Sequence, residues 1–185
     1  MNTIEITPTV KPIVGYGSKI LDEVCLPAEH TQKNLQLIAD LEATLRTIKS
    51  GVGLAAPQIN SPVRAFIMRQ GNNYIPVINP VILKERTTGR IEEGCLSIPD
   101  VSAVGPWRSL ILNIQYYDRA WNLVKTKISG FQAIIFQHEL DHLNGILWID
   151  RLKPEKIEEL SDRLERIKKE MPPTNKEKTY HLIYP

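Results

Sequence analysis

The stretch Gln137-His138-Glu139-Leu140-Asp141-His142-Leu143-Asn144-Gly145 constrains this chain more than any other. Two of the chain's four histidines flank a glutamate there with the spacing His-Glu-x-x-His. On a helix, residues four apart share a face, so both imidazoles can reach one ion, while Glu139 lies about 100° round, within reach of a water on that ion. Phe131, Ile134, Ile135, His138 and His142 fall on a single helical stripe. The histidines therefore lie on the apolar face and look into whatever the helix packs against, which predicts a central helix rather than a surface one. Gly130 before it and Asn144-Gly145 after it mark its ends. The competing reading is a pair of histidines satisfied within a core helix.

Two imidazoles do not complete a site, because a catalytic zinc-like centre takes three protein ligands and keeps one position open for water. One protease class supplies the third ligand as a histidine three residues past a downstream glycine. Here that position is Trp148, which excludes the class. A second class takes a glutamate from a following helix, and by position Glu158, Glu159 and Glu165 are open candidates.

The remainder of the chain is read as surroundings for this helix. A length of 185 residues with 42% hydrophobic composition predicts one domain over 1–185, with 1–11 as an N-terminal extension and 172–185 as a C-terminal tail. A net charge of +2 gives no argument for nucleic acid, and no DNA partner is expected. No apolar run approaches the roughly 18 residues that span a membrane, so a soluble, cytoplasmic protein is expected. With only Cys25 and Cys95, a disulfide framework is not expected, and Cys25 reads as a half-buried residue without chemistry.

Leu35, Ile38, Leu41, Leu45 and Ile48 predict an amphipathic helix over 32–49, ended by Ser50-Gly51. Gly51-Val52-Gly53-Leu54-Ala55-Ala56-Pro57-Gln58-Ile59 offers little side chain, as suits a tight turn or a close approach of backbone to ligand. Strands are predicted at 64–69, 74–78, 81–84, 109–117 and 123–128, with hairpin turns at Gly71-Asn72-Asn73 and 118–122. From Pro154 a last helix carries Ile157, Leu160, Leu164, Ile167 and Met171 until Pro172-Pro173. The absence of a β-α-β rhythm predicts an α+β fold, with antiparallel or mixed β-sheets packed around the central metal-binding helix. The aromatic-containing Tyr180-His181-Leu182-Ile183-Tyr184 in the tail has no assigned role.

One stretch remains, Glu92-Glu93-Gly94-Cys95-Leu96-Ser97-Ile98-Pro99, in which a lone cysteine would ordinarily be a small buried residue. Together with 51–58 and 137–142, residues 93–97 closely resemble the peptide deformylase family. Its signatures are Gly-x-Gly-x-Ala-Ala-x-Gln, Glu-Gly-Cys-Leu-Ser and Gln-His-Glu-x-Asp-His, matched here in order. The resemblance runs from Pro12 to about Lys169.

It implies hydrolysis of the N-terminal formyl group from the formyl-methionine of new polypeptides, releasing formate. It also implies Cys95 as third ligand beside His138 and His142, around a ferrous ion (Fe2+) that zinc (Zn2+) can replace, and Glu139 as general base and acid. The side-chain amide of Gln58 and the backbone N–H of Leu96 would face the developing oxyanion. The peptide would pair its backbone with Val52, Gly53 and Gly94 and seat its methionine among Val52, Ile91, Phe131, Ile134 and Ile135. The last helix would contact the ribosome near the exit tunnel, as in some members, and its glutamates, no longer needed as ligands, would form a solvated face with Lys156, Arg163 and Arg166.

Two departures from the family pattern stand out. Val104-Gly105-Pro106-Trp107-Arg108 is about one residue longer than usual, so that Trp107 falls where an arginine is often found. The turn Asp118-Arg119-Ala120-Trp121-Asn122 lacks the usual glycine. The rival functions are a zinc endopeptidase using a downstream glutamate and a non-catalytic adaptor that binds metal or nascent chains.

Overall fold

The computed structural model describes residues 6–170. Residues 1–5 of the N-terminal extension, Met171 with the Pro172-Pro173 stop, and the 172–185 tail lie outside the described residues. Among the described residues there are seven strands: β1 (Gly53–Ala55), β2 (Ala65–Gln70), β3 (Asn73–Gly89), β4 (Glu92–Cys95), β5 (Ile98–Val104), β6 (Arg108–Tyr117) and β7 (Leu123–Ser129). Three α-helices accompany them: α1 (Gln32–Thr47), α2 (Phe131–Leu143) and α3 (Pro154–Glu170). One sheet has the order β1-β2-β3-β6-β7 and the other is the β4-β5 hairpin, and all of these strand pairings are antiparallel. The architecture is α+β, as the missing β-α-β rhythm predicts. No described helix is long and apolar enough to cross a membrane.

Each helix buries the stripe its sequence draws. Thr31 caps α1 by accepting the N–H of Asn34, and Ile38, Leu41 and Leu45 pack on Leu54, Ile67 and Ile78 of the large sheet. The helix stops at Thr47 rather than 49 because Ile48 turns extended, its N–H bonding to the Leu45 carbonyl. In α2, Ala133, Ile135, Phe136 and Leu143 sink into a cluster with Phe66, Val77, Leu112 and Ile114. Phe136 meets Phe66 edge to face at 5.4 Å, and burial of one such side chain contributes about 1.5–3 kcal/mol. In α3, Leu160, Leu164 and Ile167 close a third cluster over Val14, Leu21, Ile98, Val101 and Trp148.

The strands depart from the prediction in three places, the first being β1, which forms where 51–59 reads as a tight turn or a close approach of backbone to ligand. The segments 74–78 and 81–84 belong to one long strand, β3, since Asn79 takes φ 50° and its side chain both accepts from and donates to the backbone of Ala28. A register shift between Ile78 and Val81 absorbs the irregularity and the strand continues. The β4-β5 hairpin, read in sequence only as a motif, folds with Cys95 opposite Ile98, so Leu96-Ser97 form its turn. That turn lies against the N-terminal loop, where Tyr16 N–H donates to the Ser97 carbonyl at 2.8 Å.

Candidate active site

The last residue of β4 and two turns of α2 bring Cys95, His138 and His142 together. Their ligand atoms all lie within 4.8 Å of one another. Cys95 Sγ is 3.3 Å from His142 Nε2, and the two imidazoles meet at 5.2 Å with 72° between their planes. One thiol and two imidazoles form a donor set suited to zinc or ferrous iron. Burial holds His142 well below the usual histidine range, with the charges of His138 and Arg108 acting in the same direction, so its ring is neutral and can offer a lone pair. Burial also opposes charge on His138, but hydrogen bonds with Cys95 and Glu93 overcome it and push its pKa up to about 10. An ion binding here displaces that proton. Glu158, Glu159 and Glu165 are exposed on α3, outside the cluster, and Glu159 and Glu165 pair with Lys156 and Lys168.

Behind the cluster lies a buried ionic chain. Glu93 Oε2 is 2.9 Å from His138 Nδ1, and Arg108 donates to both Glu93 oxygens, at 2.7 and 3.0 Å. Arg108 also donates to Asp141 at 2.9 Å, and Arg151 binds the same carboxylate through two nitrogens. A carboxylate behind a ligating histidine fixes the ring's orientation. Room for Glu93 comes from Gly105, where a Cβ would stand 2.7 Å from Glu93 Oε1. Sequence reasoning placed an arginine-to-tryptophan change at 107. In the structure Trp107 is 66% exposed, and its neighbour Arg108, 4% exposed, takes the buried position. The signal was the lengthened 104–108 segment itself.

Glu139 is buried beside the histidines, and its Oε2 has no hydrogen-bond partner among the described residues. Burial raises its pKa to about 7, against the lowering charges of His138 and Arg108. Its carboxylate lies directly against Gly53, where an added Cβ would be 2.3 Å from Oε1. Gln58 is 1% exposed and held at both ends of its amide. Its Oε1 accepts from Ala55 N–H at 2.8 Å, and its Nε2 points to Ser97 Oγ at 3.2 Å and Cys95 Sγ at 3.5 Å. Leu96 follows Cys95 in the hairpin turn.

The other predicted residues fall around this group. Val52 accepts Arg69 N–H through its carbonyl and packs against the cluster that holds Ile135. Ile134 is buried, Phe131 is 36% exposed at the start of α2, and Ile91 is half-buried just before β4. Gly94 sits in β4 opposite Ser102.

A family model described as polypeptide deformylase matches residues 10–158. The chain belongs to the polypeptide deformylase family. The reaction characteristic of polypeptide deformylases is metal-dependent removal of the formyl group from formylated nascent peptides, and the chain is a deformylase in that sense. The peptide deformylase of Thermotoga neapolitana is 44% identical over 157 residues, covering 83% of this chain and 94% of the relative. The crystal structure of peptide deformylase from Thermus thermophilus superposes with a TM-score of 0.81 at 34% identity, covering 87% of this chain and 99% of that one. A Met-Ala-Ser-bound class I type b peptide deformylase from Acinetobacter baumannii gives 0.72 at 32% identity, covering 79% and 100%.

Proposed function

We propose that this chain hydrolyses formyl-methionyl peptides at an ion held by Cys95, His138 and His142, with Glu139 handling the proton. The observation that carries this reading is the convergence of those three ligand atoms within 4.8 Å of one another, beside a buried carboxylate with an unpartnered oxygen. A divalent ion supplies Lewis acidity toward the formyl oxygen and lowers the pKa of the attacking water. Glu139 Oε2 takes the proton of that water and returns it to the departing amine nitrogen. Burial, which raises its pKa above the ordinary carboxylate range, suits it to both steps near neutrality. The Gln58 Nε2 amide and the Leu96 N–H are the donors for the oxygen as it gains charge, and loss of one such donor costs about a hundredfold to a thousandfold. Gln58 is suited to this because Ala55 and Ser97 hold its amide before substrate arrives.

The peptide lies extended between β1 and β4, pairing with Val52, Gly53 and Gly94. β1 is the edge of its sheet and β4 pairs only with β5 among the described strands, so each offers backbone groups to an added strand. Val52, Ile91, Phe131, Ile134 and Ile135 receive the methionine. The Met-Ala-Ser-bound family member supports a methionine-led peptide as ligand. We further propose ferrous iron as the working ion, with zinc able to occupy the same donors, a cytoplasmic location, and a single domain spanning 1–185. A ribosome contact would fall to α3, where exposed Arg163 and Arg166 flank the buried Leu160-Leu164-Ile167 stripe and line a groove with Pro99, Asp100 and Val101.

The test is formate release from formyl-Met-Ala-Ser by protein purified without oxygen, with bound iron and zinc quantified. Glu139→Ala is expected to keep its metal and lose about 10²–10⁴-fold in turnover. Cys95→Ser is expected to lose iron together with activity. No formate from fully metallated wild type would reject the reading.

A further inference from the structure

The outer face of the large sheet carries four cations, with one carboxylate, that of Glu85, at its margin bonded to Ser109. Strand register aligns Val81, Gln115 and Lys125 in one row, Lys84, Asn113 and Lys127 in the next, and Arg86, Ile111 and Ser129 in a third. Residues directly opposite across a pair project to the same side, and successive residues project to opposite sides. Leu112 and Ile114 of β6 are 0% and 1% exposed, so these rows form the solvent face. Lys84, Arg86, Asn113, Lys125 and Lys127 are all exposed. None of the four cations has an ion pair among the described residues. The neighbouring acids are otherwise engaged. Glu85 pairs across from buried Leu112 and accepts the Ser109 hydroxyl, and Asp118 accepts the N–H groups of Ala120 and Asn122 in its own turn.

The spacing of these charges follows from sheet geometry. With strands about 4.8 Å apart and a rise of about 3.3 Å per residue, the β3 and β7 pairs lie about 10 Å apart, and Lys125 stands about 7 Å from Lys127. Between the pairs run the side-chain amides of Asn113 and Gln115. Lysine, arginine, asparagine and glutamine are the side chains that contact phosphates, and a platform two strand spacings wide takes one polyanionic strand rather than a duplex. We propose that this face binds the phosphodiester backbone of single-stranded RNA. The three rows contain no aromatic side chain to stack a base, so recognition is electrostatic and independent of sequence, with dissociation constants of about 10⁻⁶–10⁻⁴ M. The basis is local, since a net charge of +2 spread evenly would give no such field.

The experiment is fluorescence anisotropy of a labelled short polyuridine RNA with the metallated full chain, titrated at several salt concentrations. Four phosphate contacts give a slope of about −3 in log affinity against log salt, a loss of about 50-fold between about 50 and 200 mM. Lys84→Gln/Lys127→Gln is expected to halve that slope and weaken binding at the lower salt, while Lys19→Gln/Lys33→Gln, exposed lysines off the sheet, leaves both unchanged. Formate release, followed on the same samples, is expected to be equal in all three proteins, so a failure of RNA binding and a failure of deformylation are read separately. The proposal is overturned by absence of binding at about 50 mM salt, which would leave the lysines as guards against edge pairing. It is equally overturned by binding that only the Lys19→Gln/Lys33→Gln variant weakens, or by binding to phosphatidylserine vesicles in place of RNA.

Discussion

Gly53 has no side chain, and the Glu139 carboxylate occupies the space where one would be. A methyl group there would stand 2.3 Å from Oε1 and 2.7 Å from Cδ, so the carboxylate or the β1 backbone has to move. Gly53→Ala keeps the N–H and C=O that a paired peptide would use, and loss of backbone pairing alone would leave it active. We expect about a hundredfold lower kcat/KM with unchanged metal content, since displacement of a catalytic group by about 1 Å costs that much. A rate near wild type would show that the carboxylate is not confined there. This close approach was only half legible: small residues at 51–59 signalled either a turn or a ligand, and the structure adds a side chain as the thing approached. His138, Glu139 and His142 were legible because one helix carries all three and spacing alone sets their faces. Cys95 was reached only through resemblance, since a cysteine on another element leaves no period linking it to α2. Arg108 was hidden for the same reason, its partners Glu93 and Asp141 lying 15 and 33 residues away in sequence.

At the scale of elements, α3 is a brace for the hairpin that carries Cys95. Leu160, Leu164 and Ile167 pack over Ile98 and Val101 of β5, and Cys95 is a half-buried neighbour of that same cluster. Leu164 is 4% exposed, so Leu164→Ala leaves a cavity, expected to lower stability by about 2–5 kcal/mol in urea unfolding. The folded fraction should still release formate at close to the wild-type rate, because no ligand or donor is altered. A loss of less than about 0.5 kcal/mol, the size of an ordinary surface change, would mean that α3 does not brace the hairpin. The helices were legible to within two residues because a 3.6-residue stripe survives any tertiary partner. The strands were less so, and the reasons are local. Asn79-Pro80 reads as a break, yet a side chain bonded to Ala28 carries β3 through it. Pro99 and Asp100, the latter at φ 60°, disguise β5, although its burial alternates from Asp100 onward. At 118–122 the missing glycine is replaced by Trp121 itself, which takes φ 60° and stacks on His30 at 4.9 Å.

Across the whole molecule, the two sheets and α2 are joined by charge as well as by apolar packing. Glu93 belongs to the hairpin, Arg108 to the large sheet and Asp141 to α2, and their side chains meet in the interior. Burial works to raise the Glu93 carboxyl, but hydrogen bonds with His138 and Arg108, and the charges of both, hold it below the usual carboxylate range. A carboxyl depressed in the fold contributes stability that is present above its unfolded pKa of about 4.3 and lost as pH falls through the folded value. Wild type should therefore lose stability on acidification below about pH 4 as this link protonates. Arg108→Leu removes the guanidinium and leaves the buried Glu93 carboxylate without one of its two neutralising partners, a change that costs about 3–5 kcal/mol. With His138 left to oppose burial alone, the Glu93 pKa rises from its depressed position. The linkage weakens: in the variant this carboxylate contributes less stability above its unfolded pKa, so the deficit against wild type is largest near neutral pH and narrows toward pH 4. Urea unfolding of both proteins at matched metal content, at several values between about pH 4 and 7, measures that difference directly. Curves that stay parallel over the range would mean that Arg108 acts through packing alone, and that the two sheets are not coupled through the charge on Glu93.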